Sequence, residues 1–443
     1  MTPAADPPHA LQRAEFVCGA AALIAYLTVS PALLTVLGIP YDAPYGNFLF
    51  KLHPGDYLLA SALTFSLAGQ GNPLTALVGR LRQAPLLSVY LIAMVLAFAY
   101  SLLRYGPSGS AFFIDTLMMP VAAALLLSRL DAAQLRALWR IMVALLTVNA
   151  AIGLIEVVLQ RHLVAYTVAG GVPVIEDKFR ATALLGHPLE NALLTSMILL
   201  AALDRPMSTT RRWAWSGFLI LALLAFGGRT SFVLTVLSLS LYAGWKAWHG
   251  LRAGRYGYLQ LVGASTAALL ALPAVAAAVW RSGLGARIFE GLYLDDSASV
   301  RLRIFSVFDH LDIYDVLFGV SPIHIQELSA RIGLSQNLEA IENFWLFMLL
   351  QLGACVFAVF AVGLCCGLWW LWRRAGTGAR WTLLVFVITA STTNSLASKT
   401  SALTLLFAML GSLAGYRAIR SRSPAFAPPA ARGGLFPGHG VQA

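Results

Sequence analysis

The sequence predicts an all-α protein that crosses a membrane about twelve times. Of its 443 residues, 58% are hydrophobic and only 12% are charged, whereas a soluble domain averages about 25% charged residues. The mean hydropathy is +0.73. Apolar runs of about 18 residues or more, the length a helix needs to cross the hydrocarbon core, recur along the whole chain. This composition excludes an ordinary soluble domain.

Charged, glycine-containing and proline-containing segments separate the apolar stretches into predicted spans. The first stretch contains Pro31 and is too long to be the core of a secretory signal. The seventh and eighth stretches, like the last two, are separated by almost no loop, so each pair is also compatible with one broken span. The predicted spans are 16–38, 55–71, 84–103, 109–128, 137–160, 187–203, 212–227, 230–249, 258–280, 343–372, 381–397 and 400–417.

Basic residues are distributed unequally between the two sides that these spans define. The side that holds both termini carries 19 of the 31 Lys and Arg residues and 4 of the 20 Asp and Glu residues, and the other side carries 12 and 16. Positively charged loops stay in the cytoplasm. Both termini are therefore predicted to be cytoplasmic, and loops 161–186 and 281–342 to face outward. Orientation thus accounts for the net charge of +11 and leaves no reason to invoke nucleic acid.

The chain divides into four predicted regions. Residues 1–280 form an N-terminal transmembrane bundle of about nine spans, and 281–342 form a large external loop, long enough to fold over a site. Apolar residues between Val300 and Leu311 predict an amphipathic helix in this loop. Residues 343–420 form the C-terminal transmembrane helices. The tail 421–443 is rich in Pro, Gly and Ala and is predicted to be disordered and cytoplasmic.

Two groups of external residues favour an anionic ligand in the first half of the chain. Arg180 and His187 precede Pro188, which suits the first turn of a helix, and a helix N-terminus favours anions. Arg229 follows two glycines between two apolar stretches, where a charge is costly and usually has a partner. The alternatives are an interfacial arginine that reaches the headgroups and a simple tight turn.

Two further groups belong to the long external loop. Arg301 and Arg303 lie in the amphipathic segment, and the planar guanidinium fork can bind two phosphate oxygens at once. The alternative is an interfacial helix bound to headgroup phosphates. Glu342 and Asn343 stand where the loop re-enters the membrane. Glu342 is a candidate general base, or equally a salt-bridge partner that holds the arginines in place.

An outward-facing set of arginines with one carboxylate implies an anionic, lipid-embedded ligand, and a lipid-linked pyrophosphate fits best. No DxD-like metal-binding triplet stands in a clear site context, and Asp295 and Asp296 are a lone acidic pair in a polar loop. The chain also lacks the glycine patterns of nucleotide-binding loops. We therefore expect no metal and no cofactor, with the energy for any reaction coming from the substrate.

The order and spacing of these motifs resemble those of a known family. The chain is similar to the O-antigen ligase and Wzy-type polymerase superfamily of bacterial surface polysaccharide assembly, and the resemblance covers most of its length. The local matches are Arg180-Ala-Thr with Gly186-His187-Pro188, then Gly228-Arg229-Thr230, then Arg301 ahead of Leu317-Phe-Gly319-Val320, and Asn343 with Gly353 ten residues on.

The resemblance implies a GT-C-like glycosyltransferase in the bacterial inner membrane, with its active site in the periplasm. Its donor would be an undecaprenyl-pyrophosphate-linked glycan, its acceptor a second glycan, and a chain-length regulator is a possible partner. Arg180 and Arg301 would bind the departing pyrophosphate, with Arg229 in support and Arg303, His187 and Asn343 completing the binding set. The acceptor hydroxyl would attack the anomeric carbon with inversion and without a metal.

One departure from the family's pattern distinguishes between its two subfamilies, the ligases and the polymerases. Ligases of this family carry a histidine beside, or within two residues of, the asparagine that matches Asn343. Here the two preceding residues are Ile341 and Glu342, and the nearest upstream histidine is His324. This favours a polymerase with Glu342 in the acid–base position. The alternative is a ligase that transfers glycan to the lipid A core.

Two other classes compete with an enzyme. A flippase or transporter of lipid-linked glycans would carry ionisable or polar residues in the middle of its spans, and Asp115, Glu156 and Asn394 are the few candidates. A non-catalytic scaffold would have no reason to collect arginines at its outer surface. The concentration of polar residues outside the spans favours the enzyme.

Overall fold

The structure is a computed structural model that describes most of the chain. The described residues are 9–41, 47–107, 110–164, 166–168, 172–173, 179–254, 257–259, 263, 266, 277, 304–333, 341, 343–392, 396 and 399–422.

The described residues form an all-α protein. A pair of two-residue antiparallel strands, Thr167–Val168 and Val172–Pro173, is its one β element within this part of the chain. Short 3₁₀ helices cover Phe48–Lys51, Ala202–Asp204 and Ile304–His310, and a π-helical turn covers Phe113–Met118. The α-helices are α1 (His9–Thr28), α2 (Pro31–Val36), α3 (Pro54–Ala68), α4 (Pro73–Arg82), α5 (Pro85–Tyr105), α6 (Met119–Leu127), α7 (Ala132–Leu159), α8 (Pro188–Ala201), α9 (Thr209–Phe226), α10 (Arg229–Arg252), α11 (Ile313–Phe318), α12 (Pro322–Arg331), α13 (Phe344–Arg374), α14 (Thr377–Ser391) and α15 (Ala402–Arg422).

Several helices have the length and composition of membrane spans, which confirms the predicted class of an α-helical membrane protein. Four described helices are long and apolar enough to cross a bilayer: α1, α5, α7 and α13. Three shorter apolar segments, Phe113–Leu127, Thr377–Ser391 and Ala402–Gly415, accompany them. The total of twelve spans stays a prediction.

The first predicted span, 16–38, is wrong as one continuous helix. α1 begins earlier, at His9, and ends at Thr28, and a separate helix α2 begins at Pro31. Proline has no N–H group to continue the helical hydrogen bonds, but it suits the first turn of a new helix. The Ser30 side chain accepts a hydrogen bond from the Leu33 amide and caps that new helix.

The seventh and eighth predicted spans are two helices, not one broken helix. α9 ends at Phe226, and α10 begins at Arg229 after Gly227, which has a φ of +66°. A Cβ atom on Gly228 would lie 2.5 Å from the Ala192 Cβ, so only glycine lets this turn pack directly on α8. The last two predicted spans are likewise separate helices, α14 and α15.

Polar contacts at one end of the assembly hold the helices that carry the predicted cytoplasmic charges. Asp204 accepts hydrogen bonds from the Gly378 and Ala379 amides at the start of α14, at 2.9 Å each. Arg80 on α4 donates to the backbone and hydroxyl oxygens of Ser66, both at 2.8 Å. We call this the inner end, after the side to which the sequence assigns it.

A second set of polar contacts joins the opposite ends of the same helices. The Tyr26 hydroxyl near the end of α1 donates to Asp56 at the start of α3, at 2.6 Å. The Thr400 hydroxyl ahead of α15 donates to Glu190 at the start of α8, also at 2.6 Å. We call this the outer end. The predicted functional residues Arg180 and His187 belong to it, because their loop leads directly into α8.

The long external loop docks on α13 through two glycines that belong to the motifs named in the sequence analysis. Gly319 and Gly353 have φ values of +74° and +66°, and a Cβ atom on Gly353 would lie 2.4 Å from the Gly319 nitrogen. The Val320 amide also donates to the Leu350 carbonyl at 2.7 Å. Gly353 interrupts the helical conformation of α13. The segment 304–333 and this interruption therefore form one packed unit.

We expect Gly353→Ala to destabilise the protein by about 2–4 kcal/mol, because alanine at positive φ is strained and its Cβ would overlap the backbone of Gly319. Thermal unfolding in one detergent measures the effect. Gly79→Ala in α4 is the control, because a Cβ there meets nothing within 4 Å. Equal melting temperatures for the two variants would contradict the docking contact.

Candidate functional site

Glu156 holds the segment that carries Arg180 and His187. We call residues 179–187 the Arg180 loop. One Glu156 carboxylate oxygen accepts hydrogen bonds from the Thr182 and Ala183 amides, both at 2.8 Å, and the other accepts from the Leu163 amide. Such charge-assisted bonds are stronger than neutral ones. They hold Ala183 at a φ of +41°, a conformation that costs on the order of 1–3 kcal/mol outside glycine.

Two buried asparagines fix the other half of the Arg180 loop. Asn149 on α7 accepts from the Leu184 amide at 3.0 Å and donates to the Asn191 side chain at 2.6 Å. Asn191 on α8 donates in turn to the carbonyls of His187, at 2.9 Å, and Thr182. The buried polar residues of α7 and α8 therefore satisfy loop backbone. Glu156 had been a candidate for a transporter site, and its bonds give it this structural role instead.

Arg180 is buried against the ring of Tyr166. Its guanidinium carbon lies 5.7 Å from the ring centroid of Tyr166, whose hydroxyl is 3.5 Å from Nη2. Tyr166 meets His187 edge-on, with 5.7 Å between ring centroids. His187 precedes α8, where desolvation of the imidazole and then the charge of Arg180 lower its pKa to about 4. At neutral pH the site therefore presents a cationic guanidinium next to an uncharged imidazole.

The Arg180 loop also contacts the end of α9, just before the turn that leads to Arg229. The Ala181 amide donates to the Ala225 carbonyl at 3.1 Å, and Arg229 opens the helix that follows that turn. Arg229 is half-buried. The structure thus brings three of the predicted residues, Arg180, His187 and Arg229, onto neighbouring segments at the outer end.

The remaining predicted residues belong to the long loop and its re-entry. Asn343 is half-buried, and its side-chain oxygen accepts from the Leu346 amide at 3.1 Å, which makes it the N-cap of α13. Arg301, Arg303 and Glu342 lie outside the described residues, as does Asn394, so their assignments stay predictions. In place of the predicted amphipathic α-helix, the described part of that segment is the 3₁₀ helix Ile304–His310.

A cluster of buried acids lies at the outer end, and the sequence had indicated only one of its members, Asp115, as a candidate for a transporter site. Asp56 and Asp115 are 1% and 0% exposed. Asp56 accepts from the Tyr26 hydroxyl and, at 3.2 Å, from the His53 amide, and Asp115 accepts from the Tyr41 hydroxyl. We call Tyr26, Tyr41, His53, Asp56 and Asp115 the acidic cluster. His53 and Asp56 form a capping box at the start of α3, and this i, i+3 pair was the available sequence signal.

The acidic cluster is connected to α8 through the π-helical turn Phe113–Met118. This turn carries Asp115, and the next side chain, Thr116, accepts from the Thr400 amide at 3.1 Å. The Thr400 hydroxyl donates to Glu190, which lies one helical turn after His187. π-Helical turns occur frequently at functional sites. Polar contacts therefore run from Thr116, the neighbour of Asp115 in the sequence, to the helix that follows the Arg180 loop.

A cavity of about 10 Å³ is lined by Tyr26, Tyr41 and His53 of the acidic cluster and by Leu185 of the Arg180 loop. This volume suits one water molecule. The polar lining includes Tyr41, His53, Glu190, Lys399 and Thr400. The His53 Nδ1 atom accepts from the Gly55 amide at 3.0 Å and Nε2 lies 2.7 Å from the Val29 carbonyl, an arrangement that fits the neutral Nε2–H tautomer. Burial also lowers the pKa of His53.

Comparison with known proteins does not assign a family. No protein-family model matches the chain, and no curated protein matches it. Across the described residues, no group of three or more His, Cys, Asp or Glu side chains is placed to hold a metal ion.

We expect Glu156→Gln to loosen the Arg180 loop, because an amide lacks the charge and one of the two acceptor oxygens that bind the loop amides. Losing charge-assisted bonds of about 1.5–3 kcal/mol each should speed local opening by about tenfold or more. Limited trypsin cleavage after Arg180 measures this opening.

Glu327→Gln is the matched control for this variant, because the Glu327 side chain is 57% exposed and contacts His324 on the external loop. Cleavage after Arg180 at the same rate in both variants would contradict the anchoring role of Glu156.

Proposed function

We propose that the protein is a membrane glycosyltransferase that polymerises undecaprenyl-pyrophosphate-linked oligosaccharide repeats into a surface polysaccharide. The observation that carries the proposal is the position of Arg180. It is a buried arginine on a loop fixed by Glu156, next to an uncharged His187, at one end of an α-helical membrane assembly. Fixed cationic donors at a membrane-embedded helix end suit an anionic, lipid-linked leaving group.

The proposed reaction is a single displacement at the anomeric carbon of the donor. The bond from that carbon to the pyrophosphate oxygen breaks as the acceptor hydroxyl oxygen forms the new glycosidic bond, with inversion. Arg180 and Arg301, supported by Arg229 and Arg303, stabilise the negative charge that develops on the pyrophosphate. Glu342 receives the proton of the acceptor hydroxyl. His187 and Asn343 complete the binding site, and no metal or cofactor takes part.

This proposal includes a finer architecture than the class of helical membrane protein. The chain would cross the bacterial inner membrane twelve times in a GT-C-like arrangement, with both termini in the cytoplasm and the outer end in the periplasm. The bias of basic residues toward one side supports this orientation. The donor and acceptor glycans would then meet between the Arg180 loop and the long loop, where a chain-length regulator is a possible partner.

The choice of a polymerase over a ligase rests on the residues ahead of Asn343. Ile341 and Glu342 occupy the positions where ligases of the resembling family carry histidine. A transporter loses one of its candidate residues, because Glu156 is bonded to loop amides at the outer end. Asp115, which is fully buried, remains the other described candidate of that class. Transfer of glycan from a purified lipid-linked donor in vitro separates these classes, since a transporter makes no new glycosidic bond.

We expect Arg180→Ala and Arg301→Ala each to reduce polymer formation by about 30- to 1000-fold, because each loses on the order of 2–4 kcal/mol of stabilisation of the developing phosphate charge. Polymer yield from one lipid-linked donor measures the effect in protein that still inserts and purifies. Arg331→Ala is the control, since Arg331 is an exposed arginine of the same external loop. Near-wild-type yield from both test variants would refute the assignment.

We expect Glu342→Gln to lower turnover by about 100-fold or more while donor binding is largely kept, because glutamine retains shape and hydrogen bonding but cannot accept the proton. Turnover and donor affinity are measured separately, next to Glu342→Ala. Weakened donor binding in the alanine variant, together with nearly full turnover in the glutamine variant, would make Glu342 a partner of the arginines and not a base.

A further inference from the structure

The carboxyl pair Asp56 and Asp115 has an unusual hydrogen-bonding pattern for two buried acids. The pair accepts hydrogen bonds from three uncharged donors: the hydroxyls of Tyr26 and Tyr41 and the backbone amide of His53. The second oxygen of Asp115 is buried without a hydrogen-bond partner. Buried polar atoms are rarely left in this state, so this oxygen indicates a bound species that completes the pair.

The charged and titratable groups around the pair come from several elements. Tyr26 faces it from α1, and Tyr41 and His53 from the segment ahead of α3. Glu190 and Lys399 line the neighbouring cavity. Both ring nitrogens of His53 are used in bonds that fit a neutral imidazole. The Lys399 ammonium donates to the backbone carbonyls of Tyr41 and Lys51, and the Lys51 side chain is buried as well.

The two carboxyl groups are bound to tyrosines that pack on the same ring, since Tyr26 and Tyr41 lie with their ring centroids 5.0 Å and 6.1 Å from that of His53. Two adjacent carboxylates in a buried site repel strongly, and such pairs relieve the repulsion by keeping one proton between them. A metal ion would need several oxygen ligands and room for itself, whereas the free oxygen of Asp115 has almost no accessible surface. A proton needs no space and turns that oxygen into a donor.

We propose that Asp56 and Asp115 form a proton-binding site that holds one shared proton in the folded protein. The proton satisfies the orphan oxygen of Asp115 and removes one of two negative charges from the outer end. This inference concerns the acidic cluster alone and does not depend on the glycosyltransferase proposal.

The site links protonation to the rest of the outer end. Thr116, next to Asp115, contacts Thr400, and Thr400 contacts Glu190 on α8. Because two buried carboxylates repel one another unless they keep a proton, the stabilisation is fully present at low pH. It is lost as pH rises far enough to remove the shared proton. Loss of the proton would restore the repulsion at the junction of α1, α3 and the π-helical turn.

Infrared spectroscopy of the full-length protein in detergent tests the proposal directly. We expect wild type at neutral pH to show the carbonyl stretch of a protonated carboxylic acid, a band that shifts in deuterated buffer and disappears at alkaline pH. Asp115→Asn and Asp56→Asn should each lose this band. Glu190→Gln, which removes the neighbouring acid of the cavity, and Glu327→Gln, which removes an exposed one, should both keep it.

Thermal unfolding supplies a second readout. Wild type should lose apparent melting temperature as the pH rises into the alkaline range where the band disappears, and Asp115→Asn should reduce that loss at least by half, because the amide replaces the protonated acid. A wild-type protein with no carboxylic acid band at neutral pH would overturn the proposal even if the variants fail to fold. A band that survives both Asp56→Asn and Asp115→Asn would overturn it too.

Discussion

Every backbone amide and carbonyl that leaves a helix inside a membrane protein must find a partner within the protein, because the bilayer offers none. This constraint determines where buried polar side chains lie in the protein. Glu156 binds three amides of non-helical backbone, and Asp204 binds two at the start of α14. Glu156 and Asp204 thus satisfy backbone groups outside the helices and so shape the adjoining loops.

The same constraint explains how the predicted site is built. The Arg180 loop has no regular secondary structure, yet its conformation is over-determined by Glu156, Asn149 and Asn191. That support keeps Ala183 at a positive φ and places Arg180 against Tyr166. The side chains that make the site rigid lie on α7 and α8, whereas the side chains proposed to bind the donor lie on the loop.

Composition and periodicity were sufficient for the class of fold, and local chemistry was sufficient for several details. The break at Pro31 follows from the missing N–H of proline, although the length of the apolar run hid it. The close contact of Gly319 with Gly353 could be suspected only from the motifs, since residues 34 positions apart carry no periodic signal. The acidic cluster was hidden for the same reason. Tyr41, Asp56 and Asp115 come together only after three segments have packed.

The interruption of α13 at Gly353 has a mechanical consequence. The first two and a half turns of this helix, from Phe344 onward, are joined to the remainder through a residue in an extended, left-handed conformation, with a φ of +66° and a ψ of 162°. The docked segment around Gly319 is bound next to this interruption, because the Val320 amide donates to the Leu350 carbonyl. The direction of the short first part of α13 is therefore set by the docked loop, independently of the remainder of the helix down to Arg374. The position of Asn343 at the start of α13 depends on that docking.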